Sequence, residues 1–98
     1  MRYNVEQETL TIYLEGELNT FTSEQVEKDA EQIMSENTFS KVILDLEHLR
    51  YISSTGLRII VRIKQKYSDT SIVNAQSSVY AIFKMVGFDN MMKIEELK

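Results

Sequence analysis

Cysteine, proline and tryptophan are absent from this 98-residue chain, glycine occurs three times and histidine once. Without cysteine there is no disulfide framework, no thiolate zinc site and no thiol catalysis. With His48 as the sole imidazole, a histidine-rich metal centre is excluded as well, and most hydrolytic and redox chemistry goes with it. No stretch approaches the roughly 18 consecutive apolar residues of a transmembrane helix, and the opening MRYNVEQETLTIYL lacks the charged and apolar regions of a signal peptide. The expectation is a cytoplasmic protein with no membrane insertion. Positive charge is scarce too: eleven Lys and Arg stand against fifteen Asp and Glu, a net charge of −4. That balance disfavours direct binding to nucleic acid or to anionic membranes, which reward clustered cations. A protein partner or a small ligand fits better.

What is present suffices for a core, because 43% of the residues are hydrophobic and a chain of this length buries roughly 60–70% of its unfolded surface. No linker, low-complexity run or long repeat interrupts it, so one domain over residues 1–98 is expected. Tyr3 and Val5 alternate with Asn4 and Glu6, and Leu10, Ile12 and Leu14 with Thr11, Tyr13 and Glu15, the period of two strands joined by a turn at Gln7 and Glu8. Thr22 with Gln25 forms a capping-box pattern and Phe21 with Val26 a hydrophobic staple, opening a helix that carries Val26, Ala30, Ile33 and Met34 on one stripe. Val42 to Leu44 is a continuous apolar run, as in a central strand covered on both faces. A second helix is expected over about Leu57 to Lys66, a strand over Ser71 to Ala75, and a third helix capped by Ser77 or Ser78 that ends at Gly87 and Phe88. An edge strand over Lys93 to Leu97 closes the chain. The order ββαβαβαβ predicts an α/β fold: a mixed β-sheet of about four to five strands with helices packed on it.

Ser53, Ser54 and Thr55 precede Gly56 at the start of the second helix, where free N–H groups and the positive dipole end favour an anion, including a phosphate carried by one of those hydroxyls. Ordinary helix capping explains the same residues. In the helix that follows, Leu57, Ile59, Ile60, Val61, Ile63 and Tyr67 span an arc of roughly 200°, about twice what one core contact needs; either a partner or neighbouring helices cover the excess. Arg58, Arg62 and Lys66 repeat every four residues opposite that arc, as a solvated face does. Asp45 and Glu47 are two apart but show no pocket for acid–base work, and His48 has no second ligand near it in sequence. No Gly-rich phosphate loop occurs, so the pattern points to no enzyme, metal or cofactor.

The run from Val42 to Val61 (VILDLEHLRYISSTGLRIIV), preceded by Gly16-Glu-Leu-Asn-Thr-Phe-Thr22 and followed by Phe83-Lys-Met-Val-Gly-Phe88, resembles the STAS domain of anti-sigma-factor antagonists over essentially the whole chain. The resemblance implies a small cytoplasmic phosphoprotein that binds an anti-sigma factor with ATP-dependent serine kinase activity and so frees a sigma factor. Phosphorylation by that kinase breaks the complex and a serine phosphatase restores it. Ser54 aligns with the phosphorylated serine, with Thr55 and Ser53 as neighbouring alternatives. Partner contacts are implied at Asn19, Thr20, Ser53, Ser54, Thr55, Gly56, Arg58 and Ile59, the last taken as exposed. Ser53 and Asn19 stand where the family pattern commonly has Asp; each keeps hydrogen-bonding capacity and loses a charge. The other role the resemblance allows is an accessory subunit of a lipid-transport ABC complex or of a sensory assembly.

Overall fold

In the computed structural model, which describes residues 1–98, β1 (Tyr3–Glu6) and β2 (Thr9–Tyr13) form an antiparallel hairpin with Glu6 opposite Thr9. Its turn consists of Gln7 and Glu8 alone, at φ 50° and 66°. Left-handed values at both central residues match the right-handed twist of the flanking strands. Here two residues with Cβ atoms adopt them, at a steric cost.

Next come β3 (Gly16–Leu18), α1 (Ser23–Glu36), β4 (Lys41–Asp45), β5 (Leu49–Ile52), α2 (Ser54–Lys66), β6 (Thr70–Ala75), α3 (Ser77–Met85), a 3-10 turn at Phe88–Asn90 and β7 (Ile94–Glu96). Five strands form one mixed sheet in the order β1-β2-β4-β6-β7, antiparallel only at the hairpin; β3 and β5 pair in parallel as a separate two-stranded ribbon. The mixed sheet and its packed helices agree with the order read from the sequence. The ribbon has no counterpart there: Gly16–Leu18 starts on a glycine and Leu49–Ile52 buries its two end residues rather than alternate ones, so neither shows a period of two.

Side chains of β2 and β4 point alternately to two faces. Leu10, Ile12, Leu14, Val42, Leu44 and Leu46 are buried, and they share one core with Ala30, Ile33 and Met34 of α1, Ile59, Ile60 and Ile63 of α2, and Val79 and Phe83 of α3. All three helices therefore cover the same face. On the other face Thr9, Thr11, Tyr13, Ile43, Ser71 and Val73 are only half-buried. The continuous run at Val42 to Leu44 thus marks the central strand correctly, but that strand is covered on one face, with Ile43 on the open side.

Helix ends differ from their sequence patterns in two places. The N-cap of α3 is Gln76, not Ser77 or Ser78. Thr22 precedes α1 without a side-chain cap, and Phe21, expected to staple against Val26, is 93% exposed. At the end of α3, Gly87 adopts φ 80°, which reverses the chain so that the ring of Phe88 stacks on Phe83 with centroids 5.5 Å apart.

The hairpin turn generates a stability prediction. Gln7→Asn combined with Glu8→Gly suits both left-handed positions and should stabilise the domain by about 1 kcal/mol, raising Tm by roughly 4–8 °C. Thermal melting followed by circular dichroism checks it, and an unchanged or lower Tm contradicts the strain assigned to the turn.

Candidate functional site

The β3–β5 ribbon determines which loops become neighbours. Its strands run parallel, with Leu18 opposite Ile52, so their C-terminal ends lie side by side and the Ser53 N–H donates to the Leu18 carbonyl at 2.8 Å. The chain leaves β3 into residues 19–22 and leaves β5 into α2. Asn19 and Thr20 are thereby placed beside the triplet Ser53, Ser54 and Thr55.

Both loops are held by their own hydrogen bonds. The Asn19 side-chain carbonyl accepts from the N–H groups of Phe21 at 2.9 Å and Thr22 at 3.0 Å. The Thr22 hydroxyl accepts from the Asn19 N–H at 2.9 Å and donates to the Glu17 carbonyl at 2.8 Å, while buried Ser23 donates to the Asn19 carbonyl. This Asx turn takes Thr22 away from the capping role its sequence pattern suggested. An Asn oxygen accepts these bonds as an Asp oxygen would, without the charge.

The three hydroxyls have three different environments. Ser53 is the N-cap of α2: its Oγ accepts from the Gly56 N–H at 3.3 Å and its carbonyl from the Leu57 N–H at 2.9 Å. Thr55 is half-buried. Ser54 is exposed at the first position of the helix, and no hydrogen bond engages its hydroxyl. The N–H groups of Ser54 and Thr55 belong to the first turn, which has no helical acceptors for them. Arg58 lies four residues on, hence on the same helix face as Ser54, exposed and without an ion-pair partner. A negative group at Ser54 would meet free N–H donors, the positive dipole end and a cation one turn away.

Gly56 is buried and works as a spacer rather than a contact residue. A Cβ built on it would sit 2.8 Å from the Ile52 Cγ1, the Leu18 Cγ and the Leu18 carbonyl oxygen. The first turn of α2 lies against the ribbon at a distance only glycine permits. Two implied partner contacts are therefore corrected: Gly56 offers no surface, and Ile59 is 2% exposed, part of the core rather than of an interface. The wide apolar arc of α2 is accounted for within the domain, since Leu57, Val61 and Tyr67 also pack against the core. The basic row divides in the same way. Arg62 holds both carboxylate oxygens of Glu27 on α1 at 2.9 Å, which joins the two helices, whereas Arg58 stays free.

Other polar residues singled out by the sequence serve the frame. Asp45 accepts from the Glu47 N–H at 3.0 Å and from the Asn74 side chain at 3.2 Å, tying the end of β4 to β6. His48 is exposed, with Glu47 at 3.7 Å as its neighbour. One residue of the site, Phe21, reads in the sequence as a staple packed on Val26 and not as a contact residue; its ring instead protrudes from the Asx turn, 93% exposed.

With this geometry in view, comparisons place the chain among known proteins. The STAS domain model matches residues 1–97, and the chain belongs to that family. An anti-sigma F factor antagonist of Paenibacillus polymyxa is 26% identical over 89 residues, covering 87% of this chain and 76% of that protein. Among solved structures, TM1081 of Thermotoga maritima superposes with a TM-score of 0.87 at 20% identity, over 97% of this chain and 85% of its own. The anti-sigma factor antagonist SpoIIAA in its unphosphorylated form superposes with a TM-score of 0.73 at 21% identity, over 95% of this chain and 87% of its own. At these identities the structural likenesses establish a shared fold.

Gly56→Ala tests the close approach. The Leu18 carbonyl is main chain and cannot move aside, so the added methyl should cost about 1–3 kcal/mol and lower Tm by several degrees or more. A variant as stable as the parent in thermal melting would show that the helix start is not pinned there.

Proposed function

We propose that this protein is an anti-sigma factor antagonist: a binding module rather than an enzyme, which in its unphosphorylated form captures an anti-sigma factor with serine kinase activity and is switched off by phosphorylation at Ser54. The supporting observation is the contrast among three adjacent hydroxyls: Ser53 caps the helix, Thr55 is unengaged but half-buried, and Ser54 is unengaged and exposed, at a helix start that favours an anion. The name of the Paenibacillus relative points to the same partner class, and SpoIIAA has been solved in a phosphorylated form as well. A serine phosphatase would reverse the modification, and the setting would be cytoplasmic; no helix is long and apolar enough to cross a membrane.

The contact surface in this reading combines Asn19, Thr20 and Phe21 with Ser53, Ser54, Thr55 and Arg58. A large apolar ring carried almost fully exposed on a hydrogen-bonded turn has only two side-chain torsions to order on binding and much area to desolvate, as suits an interface anchor. Phosphorylation adds about −1.5 to −2 charges at pH 7. In the free domain the first-turn N–H groups and dipole favour that charge by roughly 0.3–2 kcal/mol. In a desolvated contact beside the phosphates of the kinase's nucleotide it meets like charge, and a penalty of about 3 kcal/mol weakens binding roughly a hundredfold.

Incubation with the cognate kinase and ATP, followed by mass-spectrometric site mapping, tests the proposal. Phosphate on Ser54 is expected. Phosphate on Thr55 or Ser53 alone would move the switch, and none at all would favour the accessory-subunit role in a transport or sensory assembly. For the surface, Phe21→Ala and Arg58→Glu should each weaken kinase binding about tenfold or more in calorimetry while leaving Tm within a few degrees of the parent. Unchanged affinity in both would remove this surface from the interface.

A further inference from the structure

The five-stranded sheet has two edges, and they differ in kind. At one edge β7 is three residues long, its pairing with β6 is irregular between Ile72 and Ala75, and the segment from Lys93 to Glu96 carries a charged residue at every position except Ile94. Shortness, irregular pairing and charge are the devices that keep a sheet edge from pairing with another chain. At the other edge β1 has fewer of them: it is four residues long and carries one charge, Glu6, but its register with β2 is regular, it contains no Lys or Pro, and all four of its residues are exposed.

The hydrogen-bond parity of β1 follows from one contact. Tyr13 donates its N–H to the Arg2 carbonyl at 3.1 Å, so the Arg2–Tyr13 pair is hydrogen-bonded. By the alternation of antiparallel ladders, Asn4 and Glu6 also turn their main-chain groups towards β2, while Tyr3 and Val5 turn theirs outwards. Two donors and two acceptors stand free on that edge. Tyr3 lies opposite Ile12 and Val5 opposite Leu10, so both side chains are on the helix-covered face, yet they are 46% and 39% exposed because no helix reaches over β1.

We propose that β1 pairs antiparallel with β1 of a second copy of this chain, about a two-fold axis at Asn4, joining the sheets of two protomers into one. This register satisfies the outward-facing groups, because Tyr3 of each copy exchanges both main-chain hydrogen bonds with Val5 of the other. It sets Tyr3 against Val5 twice on the helix face, an aromatic–β-branched pair of the kind that stabilises cross-strand contacts. On the open face it sets Arg2 against Glu6 twice, opposite charges in both places. Glu6 makes no ion pair within its own domain, and Arg2 has the exposed Glu15 at 3.4 Å and the Tyr13 ring 4.7 Å from its guanidinium. Moving the axis to Tyr3 keeps the parity but loses both charge pairs, and moving it to Val5 sets Arg2 against Glu8, which lies in the left-handed turn beyond the end of β1. The contact is small, so the dimer is weak, with a Kd on the order of 100 µM.

Sedimentation velocity across a concentration series tests the pairing directly. The parent chain should pass from monomer to dimer, and R2E and E6R should each weaken association about tenfold, since by symmetry one reversal sets like charges together in both places. The double variant R2E/E6R should restore it. Val5→Pro breaks no ladder bond to β2 but removes an outward-facing N–H and the branched side chain set against Tyr3, so it should abolish dimerisation while Tm stays within several degrees of the parent. A chain that remains monomeric to about 1 mM overturns the proposal. So does a dimer indifferent to the charge reversals, or one that the double variant fails to restore, because either outcome places the contact elsewhere. None of these readouts involves the kinase, and they stand or fall apart from the function proposed above.

Discussion

The start of α2 lies so close to the β3–β5 ribbon that one added methyl group, at Gly56, would press on a main-chain oxygen at 2.8 Å. That contact fixes the height of the helix N-terminus over Leu18 and Ile52, and the Ser53 N–H bond to the Leu18 carbonyl fixes its lateral position. Ser53 can then cap the helix inward, Thr55 is half-covered, and Ser54 alone is turned to solvent. The same ribbon sets the Asx turn at Asn19 beside the triplet, with Phe21 projecting from it. The candidate contact residues of two loops thus rest on one support, and the exposed Ser54 hydroxyl lies outside the buried groups.

The layered architecture divides the labour further. One helix-covered face holds the whole core, including fully buried Leu10, Ile12, Leu44, Ile60 and Phe83, so stability does not depend on the surface at the helix start. The Arg62–Glu27 pair, in which one guanidinium nitrogen reaches both carboxylate oxygens, joins α1 to α2 and spends one member of the basic row on structure. Arg58 is left as the cation that shares a helix face with Ser54.

Elements with a strong local signal were legible from sequence: the hairpin, the three helices, the central strand and the late edge strand follow from period and turn chemistry. The ribbon was not, because Gly16–Leu18 and Leu49–Ile52 show no alternation and become strands only by pairing with each other across thirty residues or so. Ile59 was misplaced for a related reason: a helical wheel gives the width of an apolar arc, not which parts of it the neighbours cover, and the core claims its whole width. Phe21 and Thr22 matched a staple and a cap, but the Asn19 side chain offers the same N–H groups a nearer acceptor. For the candidate site, the triplet and its glycine were visible as a pattern. The differences in environment that set Ser54 apart exist only once the ribbon has brought the loops together.

The central claim is that a phosphate at Ser54 alters the surface and leaves the fold alone. Its most direct test is to prepare the protein phosphorylated at Ser54 and compare it with the unmodified protein in two readouts, thermal melting and calorimetric titration with the cognate anti-sigma kinase. The account predicts Tm values within a few degrees of each other and an affinity lower by about a hundredfold in the phosphorylated form. A phosphorylated protein that melts far below the unmodified one, or that binds the kinase as tightly, would contradict it.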